Sequence, residues 1–412
     1  MTEFQKLWAG QTVSLLGSAL TNFALPTLAV LVLHASALQV GAIAALQMLP
    51  FPVLGMFVGV LADRFSRRRM MLVSDWIRFV VLASIPIAAF SGHLTLPLVY
   101  VVALVSGTAS VFFGIAYQSY LPVVVATDEL TSANAKLEFS NSGSQMAGSA
   151  LGGVIVQWIG AAAAIGVDAF SYLVSAVSLS LIRKREPAHD GARLTARQGF
   201  REIGEGIRFV VGSRDLRWVA LTTATVNAGG AIVNAGGAIV NAVILIYAYR
   251  MLRLQPGWLG VAFGVAEVGF IGALFATRLR ARFGLRRVLI GAILFGSLGG
   301  GVYLLGALGL PYVMMAVATA ISAITIPIYN INQISYRQAL TDIRMQGRVN
   351  ATMRTFVWGT LPIGSLVGGY LGSVVGATQT IVIGTVLWAA SAMWLLPFRE
   401  REISTDERST GP

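Results

Sequence analysis

The sequence contains no cysteine and little charge: Asp, Glu, Lys and Arg together make up 12% of its 412 residues. Without cysteine the chain has neither a disulfide framework nor thiolate-ligated metal sites. Hydrophobic residues account for 56% of the chain and the mean hydropathy is +0.73, which is far above the averages of soluble domains. This composition predicts an all-α membrane protein that crosses the bilayer many times.

The long apolar runs divide wherever a glycine, a proline or a charge interrupts them. A membrane-spanning helix needs roughly 20 mostly apolar residues, and on that basis the sequence predicts twelve spans. In chain order the predicted spans are Leu7–Leu33, Leu38–Ala62, Met70–Phe90, Leu94–Tyr117, Phe139–Ile159, Ala161–Ile182, Trp218–Tyr249, Trp258–Thr277, Val288–Leu308, Pro311–Ile334, Thr355–Val375 and Ala377–Phe398. The first span is too long for the apolar core of a cleavable signal peptide, so we expect it to remain as a helix.

The positions of lysine and arginine predict the orientation of the chain. With both termini in the cytoplasm, all of the 30 Lys and Arg residues except Arg250 and Arg253 fall on the cytoplasmic side, as the positive-inside rule requires. Membrane insertion and contact with anionic lipid therefore account for the net charge of +12, which gives no indication of nucleic-acid binding.

Two stretches of the sequence, one in each half, resemble each other at a constant offset of 216 residues. Three glycines recur at this offset: Gly148, Gly152 and Gly153 match Gly364, Gly368 and Gly369. The recurrence predicts that a six-helix unit has been duplicated. The predicted domains are a six-helix bundle over residues 1–182, a cytoplasmic linker with an amphipathic helix over 183–217, a second six-helix bundle over 218–398 and a cytoplasmic tail over 399–412.

Two six-helix repeats joined by a cytoplasmic linker are typical of alternating-access secondary transporters, whose binding site lies near the membrane midplane between the halves. No phosphate-binding loop of the G-x-x-x-x-G-K-[ST] type occurs, and no catalytic or metal-binding constellation is recognisable. We therefore expect a transporter rather than an enzyme, without a cofactor or a metal.

The stretch GVLADRFSRRRM, Gly59 to Met70, follows the second predicted span. The positive-inside rule accounts for its arginines but not for the carboxylate of Asp63, which suits a neighbouring helix N-terminus. The stretch resembles the loop signature of the major facilitator superfamily, G-x-L-a-D-r-x-G-r-r, at Gly59, Leu61, Asp63, Arg64, Arg67 and Arg68. The resemblance implies that Asp63 and Arg64 latch the cytoplasmic ends of the two halves in the outward-facing state.

The chain departs from this signature in two places. Ser66 stands where the family usually has glycine, so a turn with positive φ would be strained or rearranged there. The corresponding stretch of the second half, RARFGLRRV from Arg280 to Val288, has Ala281 at the aspartate position. The latch is therefore expected to be asymmetric.

The fifth predicted span contains GSQMAGSALGG, Gly143 to Gly153, in which Gly148 and Gly152 form a small-xxx-small face for close helix packing. Further pairs of this kind are Gly55 with Gly59 and Gly260 with Gly264. The stretch also resembles the fifth-helix antiporter signature of the superfamily, G-x-x-x-G-P-x-x-G-G, although Ser149 replaces the proline and the leading glycine is displaced by one residue. This resemblance favours export over import.

The stretches AYQSYLPVVV from Ala116, TSANAKLEFSNS and DAFSYLVSA from Asp168 resemble the transmembrane secretion effector branch of the superfamily, with its enterobactin-exporter-like and macrolide-efflux-like proteins. The resemblance implies a monomeric multi-pass protein of a bacterial plasma membrane. It also implies proton-coupled export of a lipophilic drug, antibiotic or siderophore. Two alternatives are an uptake carrier or facilitator for a small solute and a non-transporting membrane protein on the same fold.

Three carboxylates fall inside predicted spans, where a charge costs at least roughly 2.5 to 3.5 kcal/mol. Asp75 has Arg78 one helical turn away, so a local ion pair is expected. Asp168 is a candidate either for proton coupling or for a structural hydrogen bond. Glu267, in GVAEVGF, has no cation nearby in the sequence. It is a candidate for proton coupling or cation binding, with a protonated packing residue as the alternative.

Amide and phenol side chains in five predicted spans are candidates for lining a transport cavity, and helix packing is an equal alternative for each of them. These residues are Asn22, Gln47, Gln118, Asn227, Asn234, Asn241, Tyr329, Asn330 and Asn332. Because these groups are polar but uncharged, they favour a large, weakly charged, amphipathic substrate. Protons and membrane lipids are the other expected partners.

The seventh predicted span contains one heptapeptide written twice, NAGGAIVNAGGAIVN at residues 227–241. Seven residues turn a helix by about 700°, so the three asparagines fall on one stripe. At the standard rise the span from Trp218 to Tyr249 would be about 48 Å long, against a hydrocarbon core of about 30 Å. We therefore expect a bend or an outward extension. Replication slippage without function is the alternative origin of the repeat.

Overall fold

In the computed structural model, the described residues are 2–62, 65–125, 129–184, 186, 204–205, 207–233, 242–341 and 343–398. Over these ranges the chain forms helices and no strand. Nine helices of this described part are long and apolar enough to cross a membrane. The prediction of an all-α, multi-pass membrane protein is confirmed, and the number of twelve spans stays a prediction.

In the first half of the chain, the described residues form seven α-helices. They are α1 (Glu3–Leu31), α2 (Ala37–Met48), α3 (Pro50–Ala62), α4 (Arg67–Phe90), α5 (Leu96–Val124), α6 (Leu130–Ile159) and α7 (Ala161–Ser180). The helices α5 and α6 extend well beyond the predicted spans, since α5 continues past Tyr117 and α6 begins well before Phe139. A helix satisfies its own backbone hydrogen bonds, so it does not need to end where the apolar sequence ends.

From Arg214 onward, the described residues form eight α-helices and four helices of other types. The α-helices are α8 (Arg214–Val233), α9 (Ala242–Ile246), α10 (Pro256–Ala266), α11 (Ala276–Phe283), α12 (Leu285–Leu305), α13 (Pro311–Leu340), α14 (Ile343–Val374) and α15 (Ala377–Ala390). A π-helix over Tyr247–Met251 follows α9, and 3₁₀ helices cover Glu267–Phe275, Gly306–Leu308 and Ser391–Leu395. The predicted eighth span is therefore not one regular α-helix, since its centre has 3₁₀ geometry.

The second predicted span is broken at Leu49, between α2 and α3. Pro50 has no backbone N–H to donate to the turn before it, so the regular hydrogen-bond series stops there. The next bond across the break is long, with 3.4 Å between the nitrogen of Val53 and the oxygen of Leu49. The two prolines of LPFP thus divide what the apolar pattern predicted as one helix.

The repeat in the seventh predicted span falls largely outside the described residues. Asn227 lies in α8, whereas Asn234 and Asn241 belong to the range 234–241, which is outside the described part of the chain. The expected bend therefore stays a prediction. Beyond this range the π-helix departs from regular α-geometry, and its last bond joins the nitrogen of Leu252 to the oxygen of Tyr247 at 3.0 Å. Single π-turns inside membrane helices are frequent at functional sites.

Hydrogen bonds identify one end of the helix bundle and thereby the opposite end. Lys6 Nζ donates to the oxygen of Leu181 at 3.0 Å, and Arg286 Nη2 donates to the oxygen of Leu396 at 2.7 Å. The beginnings of α1 and α12 therefore lie at the end of the bundle where each half finishes, which we term the terminal face. At the opposite end, which we term the closed face, α1, α6 and α14 end and α2, α7, α10 and α15 begin.

The local backbone geometry repeats at the offset found in the sequence. Gly160, between α6 and α7, has φ 84°, and Gly376, between α14 and α15, has φ 89°. The same offset that carries Gly148 onto Gly364 carries Gly160 onto Gly376. Each of these two linking glycines permits a tight reversal between antiparallel helices, because glycine tolerates positive φ. The two hairpins are therefore built in the same way.

Candidate functional site

A buried polar cluster lies at mid-length of the first half, between α1, α4, α5 and α7. Asp75 and Arg78 lie one turn apart on α4, and Arg78 Nη2 bonds to Asp75 Oδ1. Asp75 is 0% exposed and Arg78 is 6% exposed. The expected local ion pair is confirmed, and it is buried rather than placed at the membrane surface.

Arg78 also binds two aromatic rings. Its guanidinium carbon lies 4.4 Å from the ring centre of Phe113 on α5 and 4.2 Å from that of Tyr172 on α7. Such cation–π contacts are worth about 2 kcal/mol when they are shielded from water. The Tyr172 hydroxyl lies 2.7 Å from Ser18 Oγ on α1. One arginine and its neighbours therefore connect four helices.

Asp168 lies on α7 one turn before Tyr172, and it is 0% exposed. Its Oδ1 accepts a hydrogen bond from Ser171 Oγ at 3.0 Å, whereas its Oδ2 has no hydrogen-bond partner within the described residues. Gly17 of α1 packs directly against it, because a methyl group at Gly17 would collide with Asp168 Oδ1. Arg78 lies over the ring of Tyr172, one turn from Asp168 on the same helix. The cluster thus contains two carboxyl groups and one guanidinium group.

The two halves meet closely at the closed face, where α6 packs on α10. A methyl group added to Gly153 would lie 2.7 Å from Gly260 Cα and would collide with the Pro256 oxygen. A methyl group added to Gly260 would lie 2.7 Å from the Ser149 oxygen. These two backbones can touch only because both positions are glycine.

A second contact of the same kind joins α2 to α14. A methyl group on Gly369 would lie 2.7 Å from the Ala37 oxygen and 3.2 Å from Gly41 Cα. A methyl group on Gly372 would lie 2.8 Å from the Ala37 Cβ. Gly153 and Gly369 are related by the constant offset between the two halves, so the duplicated glycine makes the corresponding contact in each half.

Three hydrogen bonds between the halves lie at the same end of the bundle. Thr27 Oγ1 is 3.0 Å from the Tyr249 hydroxyl, and Arg250 Nη2 donates to the Ala35 oxygen at 2.7 Å. The nitrogen of Gly257 donates to Gln157 Oε1 at 2.8 Å. Together with the glycine contacts, these bonds seal the closed face.

At the terminal face the carboxylate of Glu186 caps the N-terminus of α4. Its Oε2 accepts from the nitrogen of Arg67 at 2.9 Å, and its Oε1 accepts from the nitrogen of Arg68 at 2.9 Å and from Ser66 Oγ at 2.7 Å. A negative group is stabilised there because the N–H groups of the first turn have no helical partner and the helix dipole is positive. These hydrogen bonds hold Glu186, which lies in the segment after α7, against the loop signature at the start of α4.

Ser66 has an ordinary backbone conformation, with φ −56°. Of the two expected outcomes, a strained turn is therefore wrong, because Ser66 does not adopt a positive φ. The serine begins the helix instead, since its Oγ accepts from the nitrogen of Arg69 at 3.3 Å while donating to Glu186. A hydroxyl side chain provides this cap and a glycine does not.

Arg68 in the first half and Arg286 in the second half make the same kind of contact. Arg68 Nε donates to the Leu179 oxygen at 2.9 Å, and its Nη2 donates to the Ser180 oxygen at 2.6 Å. In the second half Arg286 Nε donates to the Leu395 oxygen at 3.1 Å, and its Nη2 reaches the Leu396 oxygen. Each arginine binds the carbonyl groups at the end of its half, which lie at the negative end of a helix dipole.

We expect Glu186→Ala to lower the free energy of unfolding by about 1 to 3 kcal/mol, because Ser66 and the backbone N–H groups of Arg67 and Arg68 lose their charged acceptor. Glu186→Gln keeps a single acceptor oxygen and should lose less. Thermal unfolding of the purified protein in detergent measures both. Glu129→Ala is the matched control, since Glu129 precedes α6 without forming a side-chain cap. Equal melting temperatures for Glu186→Ala and Glu129→Ala would contradict this role.

The glycines of the antiporter-like stretch on α6 face two different neighbours. Gly148 packs on Ala19 of α1. A methyl group added to Gly152 would lie 3.4 Å from Phe23 and 3.5 Å from Leu20. The predicted close packing is confirmed at Gly148, whereas a methyl group at Gly152 would make ordinary van der Waals contacts. Packing at Gly264 against Ala150 is also confirmed, whereas a methyl group on Gly55 would meet no atom of the described residues within 4 Å.

The other candidates of the sequence lie in different environments. Tyr329 on α13 is buried, with its hydroxyl 2.8 Å from Thr223 Oγ1 on α8, and buried Asn332 Nδ2 donates to the oxygens of Ala276 and Ile328. Gln47, just before the break after α2, has a buried Oε1 without a partner within the part of the chain that the structure describes. The half-buried candidates are Asn22, Asn227 and Asn330, and Gln118 is exposed.

Two members of the loop signature, Asp63 and Arg64, lie outside the described residues. Gly59 lies in α3, close to its end. Glu267 begins the 3₁₀ helix Glu267–Phe275, and its side chain is outside the description. The roles expected for these residues therefore stay predictions.

Sequence reasoning missed three parts of this arrangement. Arg78 was placed only beside Asp75, although it also reaches the rings of Phe113 and Tyr172. Glu186 was counted as part of a charged linker. The role of Gly260 across the halves was not foreseen, although its spacing from Gly264 indicated close packing. For Glu186 no local signal existed, because its partners lie far away in the sequence.

The chain was compared with known proteins. A family model described as Major Facilitator Superfamily matches residues 7–361. Multidrug efflux pump Tap of Mycolicibacterium fortuitum is 25% identical over 402 residues, which cover 94% of each chain. Macrolide efflux protein A of Streptococcus pyogenes is 23% identical over 390 residues, covering 93% of each. The solved structure of the nucleoside transporter NupG (D323A mutant) superposes with a TM-score of 0.76 at 12% identity, covering 96% of this chain and 98% of that one.

Proposed function

The chain belongs to the Major Facilitator Superfamily, and on that premise we propose that it is a secondary active exporter of lipophilic, drug-like molecules. Similarity over almost the whole length to a multidrug efflux pump and to a macrolide efflux protein supports export of drugs or antibiotics. The half-buried amides on α1, α8 and α13 fit a large, weakly charged substrate. A siderophore is a further member of this substrate class.

We propose that the buried cluster around Asp168 couples export to protons. Burying a charge is costly unless an opposite charge compensates it, and Arg78 can compensate only one of the two carboxylates beside it. The cluster is therefore neutral when one of its carboxyl groups carries a proton. Among the described residues, the other charged or titratable groups of the cluster are Arg78 and Asp75 from α4 and Tyr172 from the same helix as Asp168. Asp75 Oδ2 and Asp168 Oδ2 both lack a hydrogen-bond partner within the described residues, and Asp168 Oδ2 is the position proposed for the proton.

The proposed cycle alternates access between the two faces. The positive-inside rule supports placing the terminal face in the cytoplasm and the closed face outside. The conformation described above is then closed to the outside. In the outward-facing state Asp63 and Arg64 would latch the cytoplasmic ends, with Arg67 and Arg68 held in position by Glu186. Each six-helix half, residues 1–182 and 218–398, moves as a unit on either side of the linker.

The observation that supports the proposal is the buried cluster of two carboxyl groups, Asp75 and Asp168, with one guanidinium group, Arg78. The cluster lies in the half that contains the antiporter-like stretch. Everted membrane vesicles test it: with an imposed proton gradient, a lipophilic dye should accumulate inside them and leave again when an uncoupler is added. Accumulation that persists without the gradient would contradict proton coupling. Dye accumulation only in right-side-out vesicles would indicate the alternative, an uptake carrier.

Glu267 is the second coupling candidate and is tested in the same vesicles. If it carries the coupling proton instead, Glu267→Gln should abolish uphill accumulation while Asp168→Asn retains it. We expect the reverse, because Asp168 has a guanidinium group as a neighbour and a buried site built around it.

A further inference from the structure

A groove between α4 and α5 opens near the terminal face, outside the proposed transport path. Its volume is about 410 Å³. Its walls are apolar and come from Phe65, Val73, Ile77, Val105 and Phe112. Phe65 and Val73 are each 57% exposed, so the walls lie on the surface that the bilayer surrounds.

The polar groups inside the groove are already satisfied by their own helices. Ser74 Oγ donates to the Met70 oxygen at 2.8 Å, and Thr108 Oγ1 donates to the Leu104 oxygen at 2.8 Å. A ligand along the walls therefore meets a surface without free hydrogen-bonding groups. That surface suits a hydrocarbon chain.

The mouth of the groove is positively charged. Arg69 is the one charged side chain among the described residues that line it, and it is exposed. Its neighbour Arg68 is occupied by the carbonyl groups of Leu179 and Ser180, so it does not compete for a ligand. A groove lined by apolar side chains and one arginine matches a molecule with an acyl chain and an anionic head.

We propose that this groove binds an anionic phospholipid, with the phosphate group on Arg69 and one acyl chain between α4 and α5. Phosphate is a preferred partner of the guanidinium group. Anionic lipids are enriched in the cytoplasmic leaflet, where positive-inside topology places Arg69. The site does not depend on which molecule the protein transports.

Native mass spectrometry of the detergent-purified protein, titrated with phosphatidylglycerol or phosphatidylcholine, tests the site. Arg69 lines the groove and Arg287 does not, so removing the arginine–phosphate contact with Arg69→Gln should reduce phosphatidylglycerol binding at this site about fivefold. The matched control is Arg287→Gln, because Arg287 follows Arg286 just as Arg69 follows Arg68. It should bind as the unaltered protein does.

A second variant tests the walls of the groove. Val105→Trp fills the space for the acyl chain and should reduce binding while Arg69 remains. The proposal is overturned if Arg69→Gln and Arg287→Gln bind phosphatidylglycerol equally, or if the unaltered protein binds phosphatidylcholine as tightly. It is also overturned if a transported dye, rather than unlabelled phosphatidylglycerol, displaces a fluorescent phosphatidylglycerol from the site.

Discussion

Asp168→Asn should abolish uphill export while leaving the protein folded and able to bind substrate. The change keeps the shape of the side chain and the hydrogen bond from Ser171, but it removes the group that we propose exchanges the proton. Losing a positioned acid–base group commonly costs about 10²-fold or more in rate, and we expect a loss of that size in gradient-driven dye export. Everted vesicles with a fixed proton gradient measure it.

The same variant should still exchange labelled for unlabelled substrate across a membrane without a gradient, because exchange requires no net proton movement. This assay separates coupling from structure. Uphill export that survives in Asp168→Asn would remove Asp168 from coupling. Loss of both exchange and export would show that Asp168 only holds the helices together. Ser171→Ala is the companion variant, since it removes one hydrogen bond and keeps the carboxyl group.

Gly153→Val should stop transport by preventing the closed face from sealing. The valine side chain would have to occupy space filled by Gly260 Cα and the Pro256 oxygen. Overpacking costs about 1 to 3 kcal/mol, which shifts the balance against the closed state by about 5- to 150-fold. The reciprocal change Gly260→Val should have the same effect. Dye transport measures the loss.

Thiol labelling shows which conformation such a variant adopts. The chain has no cysteine, so Ala29→Cys introduces a single thiol at a position that is 0% exposed beneath the closed face. An impermeant thiol reagent added from outside should label it faster when Gly153→Val is also present. Gly301→Val is the control, because a side chain at Gly301 meets no atom within 4 Å. Equal labelling of the two valine variants would contradict the gating role of Gly153.

The sequence predicts the fold well because a bilayer imposes strong constraints on it. Uncharged runs of about 20 residues have few alternatives to helices in a membrane. Helix ends were predicted less well, since α6 begins at polar residues that the apolar pattern could not include. The break at Leu49 follows from prolines that the sequence displays, but an apolar run through Pro50 and Pro52 is also compatible with a bent continuous helix.

The candidate site was only partly predictable. A sequence shows Asp75 and Arg78 as neighbours because they are one helical turn apart. It does not show that Asp168 and Tyr172 join them, because only tertiary packing brings α7 against α4. Glu186 escaped notice for the same reason. By contrast, the duplicated glycine of α6 and α14 was visible in the sequence as a recurrence at constant offset, and both copies lie where the halves meet.

A disulfide across the closed face tests most directly whether the protein works by alternating access. Ala37→Cys with Gly372→Cys places two thiols between α2 and α14, where a methyl group on Gly372 would lie 2.8 Å from the Ala37 Cβ and a small shift reaches disulfide geometry. If the two faces open alternately, oxidation should stop dye export in the double variant but in neither single variant, and a reducing agent should restore it. Export that continues unchanged after the disulfide has formed would contradict alternating access.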